Sequence, residues 1–228
     1  MRLALLGYPV AHSLSPSLYR EILGDRLTSY DLLELRNPGE IPSLAELSRS
    51  FDGLSITSPH KSHFFPQLVV DSQLVRELRA VNTIAFRGGA FYGTNTDVIA
   101  VEEILTRLRD THGELDLIVL GDGVMARLTT AIADSLNISF RQFARRRGDD
   151  LQNLDLSSET PNQTVIVNAC ARDFVFRGQL HPNSIFWDYN YSFKPHQNTL
   201  PFKVMSYVDG QEMLRLQALA AVKFWSAT

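Results

Sequence analysis

Apolar residues along this chain fall into two kinds of run. Short continuous stretches bounded by glycine, proline or polar residues recur at positions 3–6, 54–56, 115–120, 164–168 and 184–188. Runs of that length without alternation fit strands buried on both faces of a parallel sheet. Positions 30–35, 80–86 and 138–144 read as further strands, with Gly88-Gly89 a hairpin turn into Phe91-Tyr92-Gly93. Between the strands, apolar residues repeat at three and four, as on one face of a helix. Leu18, Ile22 and Leu23 follow Ser15-Pro16, where Ser15 suits an N-cap and Pro16 the first helical position. Positions 42–49, 72–79 and 125–135 read as helices. A longer one runs through Val101, Ile104, Leu105 and Leu108, with Thr96 or Asp97 as its N-cap. Pro59 is expected to end the 54–56 strand and open a helix, placing Lys61 in its first turn. The last helix, 211–225, carries Met213, Leu214, Leu216, Leu219, Ala220 and Phe224 as an apolar band.

Strands alternating with helices make this an α/β chain. The strand at 115–120 runs straight into Gly121-Asp122-Gly123-Val124-Met125-Ala126, a G-x-G-x-x-A loop that opens the next helix. That context is the dinucleotide fingerprint, in which backbone amides at a helix N-terminus meet a pyrophosphate. About 20 residues further on, where NAD-binding folds place an acid for the ribose, stands Arg145-Arg146-Arg147. Arginine there favours a 2′-phosphate, which a guanidinium grips with paired donors. Positions 148–163 are polar and too short for a full crossover helix.

Composition narrows the class. The 228 residues suffice for one large domain or two modest ones, and 44% hydrophobic with 21% charged residues is ordinary for a globular protein. A net charge of -3 offers no general attraction to nucleic acid or an anionic membrane. The single cysteine, Cys170, excludes an internal disulfide, and the first apolar run is too short for a signal or a membrane span. A cytoplasmic soluble protein is therefore expected. His60 and His63 lack a third ligand at suitable spacing, so no metal is expected.

The candidate chemistry lies at strand ends. Lys61 follows one, Asp97 another, and Ser13 and Ser15 supply two hydroxyls at a helix start, a corner suited to a carboxylate. Gln217 lies inside the last apolar run and needs a partner if buried.

These pieces resemble the shikimate dehydrogenase family, in that family's order along nearly the whole chain. They are Gly7-Tyr8-Pro9-Val10-Ala11-His12-Ser13-Leu14-Ser15-Pro16, then the stretch from Gly53 to Lys61, then Ala80-Val81-Asn82-Thr83. Gly93-Thr94-Asn95-Thr96-Asp97, the glycine loop and Asp209-Gly210-Gln211-Glu212-Met213-Leu214-Arg215-Leu216-Gln217 follow. The resemblance implies a substrate-binding domain over 1–97, with the 210–228 helix packing back on it, and a Rossmann-like NADP-binding domain over 98–209. It implies that Lys61 and Asp97 are the catalytic pair, that Ser13 and Ser15 hold the substrate carboxylate, and that Thr57, Asn82, Asp97, Tyr191 and Gln217 surround the ring. Gly121, Gly123, Val124, Met125, Ala126, Arg145, Arg146 and Asn168 are then expected at the cofactor. The implied reaction is reduction of 3-dehydroshikimate to shikimate with NADPH, on the route to aromatic amino acids, by an enzyme acting on a small molecule as a monomer or a homodimer.

Three departures concern the cofactor half. Asp122 and Val124 stand where relatives carry small neutral residues, Asn168-Ala169-Cys170 replaces Asn-Ala-Thr, and the chain is short around 148–163. Two other readings therefore stand beside the first: a paralogue acting on quinate, or a shikimate-binding protein with impaired nicotinamide binding.

Overall fold

The computed structural model describes residues 1–158 and 160–227. They form two compact units, Met1–Ile99 with Arg215–Thr228, and Ala100–Leu214. In the first unit the elements run β1 (Arg2–Gly7), α1 (Ser15–Leu23), β2 (Ser29–Glu34), α2 (Leu44–Ser50), β3 (Gly53–Ile56), α3 (Gln73–Leu78), β4 (Thr83–Arg87), β5 (Ala90–Thr94) and the start of α4 (Thr96–His112). The second unit continues with β6 (Leu115–Leu120), α5 (Val124–Ser135), β7 (Ser139–Phe143), β8 (Asp155–Leu156), β9 (Gln163–Asn168), β10 (Gln179–Leu180), β11 (Ile185–Asp188), α6 (Lys194–Gln197) and β12 (Ser206–Val208). Helix α7 (Gln211–Ser226) returns the chain to the first unit.

The first sheet has the order β2-β1-β3-β4-β5. Its first three strands are parallel, and β4 and β5 are added antiparallel. Gly88 and Gly89 both take positive φ, +54° and +78°, in the β4–β5 hairpin, which explains the glycine pair. Alternation along β1 divides the core in two. Leu3 and Leu5 join Tyr19 and Leu23 of α1 and Ala218, Ala221 and Trp225 of α7. Ala4 and Leu6 join Leu44, Leu47, Phe64 and Val75 on the other side. Full burial of a large apolar side chain stabilises by roughly 1.5–3 kcal/mol, so these two clusters carry the unit.

The second sheet, β12-β11-β9-β6-β7, is parallel throughout. Counted in chain order, it places the third long strand beside the first rather than beyond the second. The segment from 144 to 162 forms no α-helix among its described residues, and its short β8 pairs only with β10. In both sheets the order of strand addition reverses beside the opening strand. The crevice at the C-terminal strand ends of such a reversal, here β1/β3 and β6/β9, is where open α/β sheets bind ligands.

Four local expectations are corrected. No helix follows Pro59: the Ser58–Pro59 peptide is cis, and Lys61 lies in a turn. The Lys61 carbonyl accepts from Val81 N–H at 2.8 Å, so the backbone is committed to the neighbouring loop instead of to a helical ladder. Ser15 is the first residue of α1 and not its cap; Leu14 holds the N-cap position, and Ser13 Oγ accepts from the Ser15 N–H. Neither Thr96 nor Asp97 caps α4, because the Asp97 N–H donates to Asn95 Oδ1 at 3.1 Å, the bond an N-cap makes. The buried residues of α7 are Met213, Ala218, Ala221, Val222 and Trp225, with Phe224 packed against them, while Leu219 is exposed. Small residues there let Trp225 reach the sheet, where its indole donates to the Ile84 carbonyl at 2.9 Å. A Cβ on Gly53 would stand 2.5 Å from that indole nitrogen, which is why β3 opens on glycine.

Candidate active site

The strand ends of the first sheet gather most of the polar residues singled out above. Tyr8 N–H donates to Ser58 O at 3.0 Å and Thr57 N–H to Leu6 O at 2.9 Å, joining the loops after β1 and β3. Gly7 is required at that junction, since a Cβ there would meet the Thr57 methyl at 2.2 Å. Because β4 runs antiparallel, its N-terminal end meets the C-terminal ends of β3 and β5. Ile56 N–H donates to Asn82 O at 2.7 Å and Asn82 N–H to Thr94 O at 3.1 Å. Glu34, at the end of β2, accepts from the N–H groups of Val10 and Ala11 at 3.0 and 2.8 Å and fixes the loop that carries Ser13.

Lys61 and Asp97 meet at this edge. The ammonium donates to Asp97 Oδ2 at 2.7 Å, and the two side chains are only 15% and 9% exposed. Their position explains how a lysine is tolerated in a turn bordered by buried residues: the carboxylate replaces the water it loses. Asn95 frees Asp97 for this task by taking over the helix cap. Asn82 Oδ1 accepts from the Thr96 N–H at 2.8 Å and from the Thr83 hydroxyl at 2.9 Å, with the Thr96 hydroxyl 3.2 Å away. Its carbonyl is thereby used inside the protein, and the amide nitrogen is the end left for a ligand. The Thr96 hydroxyl also lies 3.3 Å from Gln217 Oε1, tying α7 to the same network. Ser15 is buried, while Ser13 and Thr57 are half-buried. Beneath them the Tyr30 hydroxyl donates to Ser55 Oγ at 2.9 Å, and burial pushes the Tyr30 pKa well up.

In the second unit, the β6–α5 loop has the geometry of a phosphate cradle. Gly121 takes φ +114°, and a Cβ there would stand 3.2 Å from the Ala169 carbonyl, so glycine is required. Gly123 occupies the N-cap of α5, no side chain caps that helix, and a Cβ on Gly123 would meet nothing within 4 Å. An uncapped helix end beside open space suits an anion. Arg145 and Arg146 follow β7 in a short 3-10 turn. Val124, Met125 and Ala126 form the first turn of α5.

Two of the named residues sit differently from the rest. The Asn168 side chain is fully buried; its amide donates to Asp188 Oδ1 at 3.0 Å and its carbonyl accepts from the Cys170 N–H at 3.2 Å. That side chain is turned inward and braces the loop after β9. Tyr191 belongs to the second unit, where Arg172 donates to its carbonyl at 2.9 Å and stacks over its ring at 5.6 Å. The sequence reading missed Glu34, Thr96 and Asp188. Asp188 accepts from Asn168, Asn190, His196 and Tyr207 while itself fully buried. An acid closing an apolar strand is the only sign of it in the sequence. Among the described residues no group of three or more His, Cys, Asp or Glu could hold a metal, and no helix is long and apolar enough to cross a membrane.

Residues 5–84 match the family model for the shikimate dehydrogenase substrate binding domain. The shikimate dehydrogenase (NADP(+)) of Synechocystis sp. is 28% identical over 258 residues, covering 98% of this chain and 89% of that protein. That of Ignicoccus hospitalis is 27% identical, covering 74% of this chain and 68% of its own length. Among solved structures, shikimate dehydrogenase from Aquifex aeolicus superposes with a TM-score of 0.75 at 24% identity, covering 99% and 92% of the two chains. The Thermus thermophilus enzyme, in complex with NADP(H) and shikimate, gives 0.72 at 23%, covering 99% and 93%. With a substrate-domain match at one end, relatives aligned along nearly its full length and the same α/β fold in each unit, the chain is similar to the shikimate dehydrogenases.

Proposed function

We propose that this protein is an NADP-dependent shikimate dehydrogenase, reducing 3-dehydroshikimate to shikimate for aromatic amino acid synthesis. The observation that carries the reading is the 2.7 Å Lys61–Asp97 pair at the C-terminal edge of the first sheet. The first unit binds the substrate and the second the nucleotide. Bound NADPH supplies the hydride for the ketone carbon. As negative charge grows on the ketone oxygen, the Lys61 ammonium stabilises it and donates the proton that makes it a hydroxyl. Asp97 holds that ammonium in place and accepts from a ring hydroxyl. The Asn82 amide and Gln217 orient the ring, Thr57 lies beside it, and Ser13 and Ser15 take the carboxylate. The uncapped start of α5 and the loop from Gly121 to Ala126 receive the pyrophosphate, and Arg145 and Arg146 the 2′-phosphate. The protein works in the cytoplasm, as a monomer or a homodimer.

Titrating NADPH and NADH against the protein, followed by addition of 3-dehydroshikimate, tests this reading. Tighter binding of NADPH and substrate-dependent loss of the reduced-nicotinamide absorbance are expected. Normal shikimate binding with neither nucleotide bound would overturn it in favour of a shikimate-binding protein. A higher kcat/KM for the quinate pair would point to the quinate paralogue.

A further inference from the structure

Asp122 is an acid in a loop whose geometry suits an anion, and its side chain is not idle. Its Oδ2 lies 3.4 Å from Arg146 Nε. The arginines after β7 are divided between different tasks. Arg147 donates to Gln142 Oε1 at 2.9 Å, and Gln142 in turn donates to the Gly121 carbonyl at 2.8 Å. Arg147 therefore braces the glycine loop. Arg145 makes no ion pair among the described residues, and its charge is felt at Cys170, where it opposes the rise in the thiol's pKa. Arg146 alone is paired with a carboxylate, and that carboxylate comes from the loop meant for phosphate.

We propose that Asp122 is a specificity-determining residue: an internal counterion that competes with the nucleotide 2′-phosphate for Arg146 and so narrows the preference for NADP(H) over NAD(H). The inference rests on the reading that this loop binds a nicotinamide nucleotide. One guanidinium faces two possible anions. The Asp122–Arg146 pair is exposed, at 38% and 88%, so water screens it and a phosphate can displace it. A nucleotide with the 2′-phosphate gains Arg146 only by breaking the pair. A nucleotide without it leaves the pair intact. The Asp122 charge also repels the pyrophosphate, but that effect is common to both nucleotides and cancels in their ratio. Discrimination between the two is therefore what the carboxylate controls.

The test measures dissociation constants for NADPH and NADH by calorimetry or nucleotide fluorescence for the wild type, Asp122→Asn, Arg146→Ala and the double variant. Asp122→Asn keeps the size of the side chain and removes its charge, and both positions are exposed, so all four proteins are expected to fold with unchanged melting temperature. The NADH/NADPH ratio of dissociation constants should rise about fivefold in Asp122→Asn, the size of one exposed charge interaction. In the Arg146→Ala background the same change should leave the ratio unmoved. An unchanged ratio in Asp122→Asn, or an equal rise with and without Arg146, overturns the proposal while leaving the nucleotide reading standing. A folded wild type that binds neither nucleotide overturns the nucleotide reading itself.

Discussion

Replacing Lys61 with methionine tests the proposed chemistry most directly, because it keeps the length of the side chain and removes both its proton and its charge. Two effects separate. The first is on the reaction. Losing a positioned proton donor costs about 10²–10⁴ in rate, and here the same group also carries the charge that faces the developing oxyanion, so a fall in kcat of about a thousandfold is expected. The second effect is on stability. Lys61 Nζ and Asp97 Oδ2 are 2.7 Å apart with side chains 15% and 9% exposed, so the pair is mostly removed from water. An exposed pair contributes about 0–1 kcal/mol, and breaking a fully buried one costs about 3–5 kcal/mol. Between those limits, an unpartnered Asp97 should cost about 2 kcal/mol, or roughly 4–8 °C in melting temperature for a protein of this size. The double variant Lys61→Met with Asp97→Asn removes the stranded charge. It should recover most of the lost stability and none of the lost turnover. Steady-state kinetics with 3-dehydroshikimate and thermal unfolding of the three proteins measure both effects. A kcat for Lys61→Met within tenfold of the wild type, or turnover restored by the second change, would refute the assignment.

Three further outcomes follow from other contacts. Asn82→Ala leaves the fully buried Thr96 N–H without its acceptor and should cost about 1–3 kcal/mol in denaturant unfolding, together with a raised KM for substrate; an unchanged unfolding midpoint would show that Asn82 is not the link between β4 and α4. Burial, aided by the charges of Asp188, Asp122 and Asp173 and opposed by Arg145, pushes the Cys170 thiol up to about 11, so its alkylation rate should still climb with pH well past the point where an ordinary thiol levels off. Since the Arg145 charge acts to lower that value, Arg145→Ala should slow alkylation further at any fixed pH below it, and a faster reaction would contradict the action of that charge on the thiol.

Local pattern was a good guide to the elements and a poor one to their joints. Continuous apolar runs become β1, β3, β6, β9 and β11, and the glycine pair at 88–89 turns the hairpin, because burial on both faces and positive φ leave direct marks on residue type. The turn around Lys61 left no such mark. Whether Pro59 opens a helix depends on where the Lys61 carbonyl finds its donor, and that donor, Val81, lies twenty residues away. The same is true of the α4 cap, where three adjacent polar residues compete and only the Asn95 geometry decides. The stripe of α7 keeps Met213 and Phe224 but differs at its centre, for a related reason. Alanines at 218 and 221 pack against the sheet while the larger Leu219 stays outside, a choice set by the clearance that Gly53 leaves for Trp225.

By itself, the order of residues determined the α/β class, the glycine loop ahead of α5 and the set of polar groups at strand ends. Each depends on periodicity, a special backbone angle or a residue type confined to a few neighbours. Only the tertiary structure decided that Lys61 and Asp97 touch, that Asn82 spends its carbonyl on Thr96, that Asn168 faces inward to Asp188, and that Asp122 lies against Arg146. Those pairings join residues brought together by strand order and reversal of the sheet. Contact across such distances in the chain is a property of the packed fold, which no window of sequence contains.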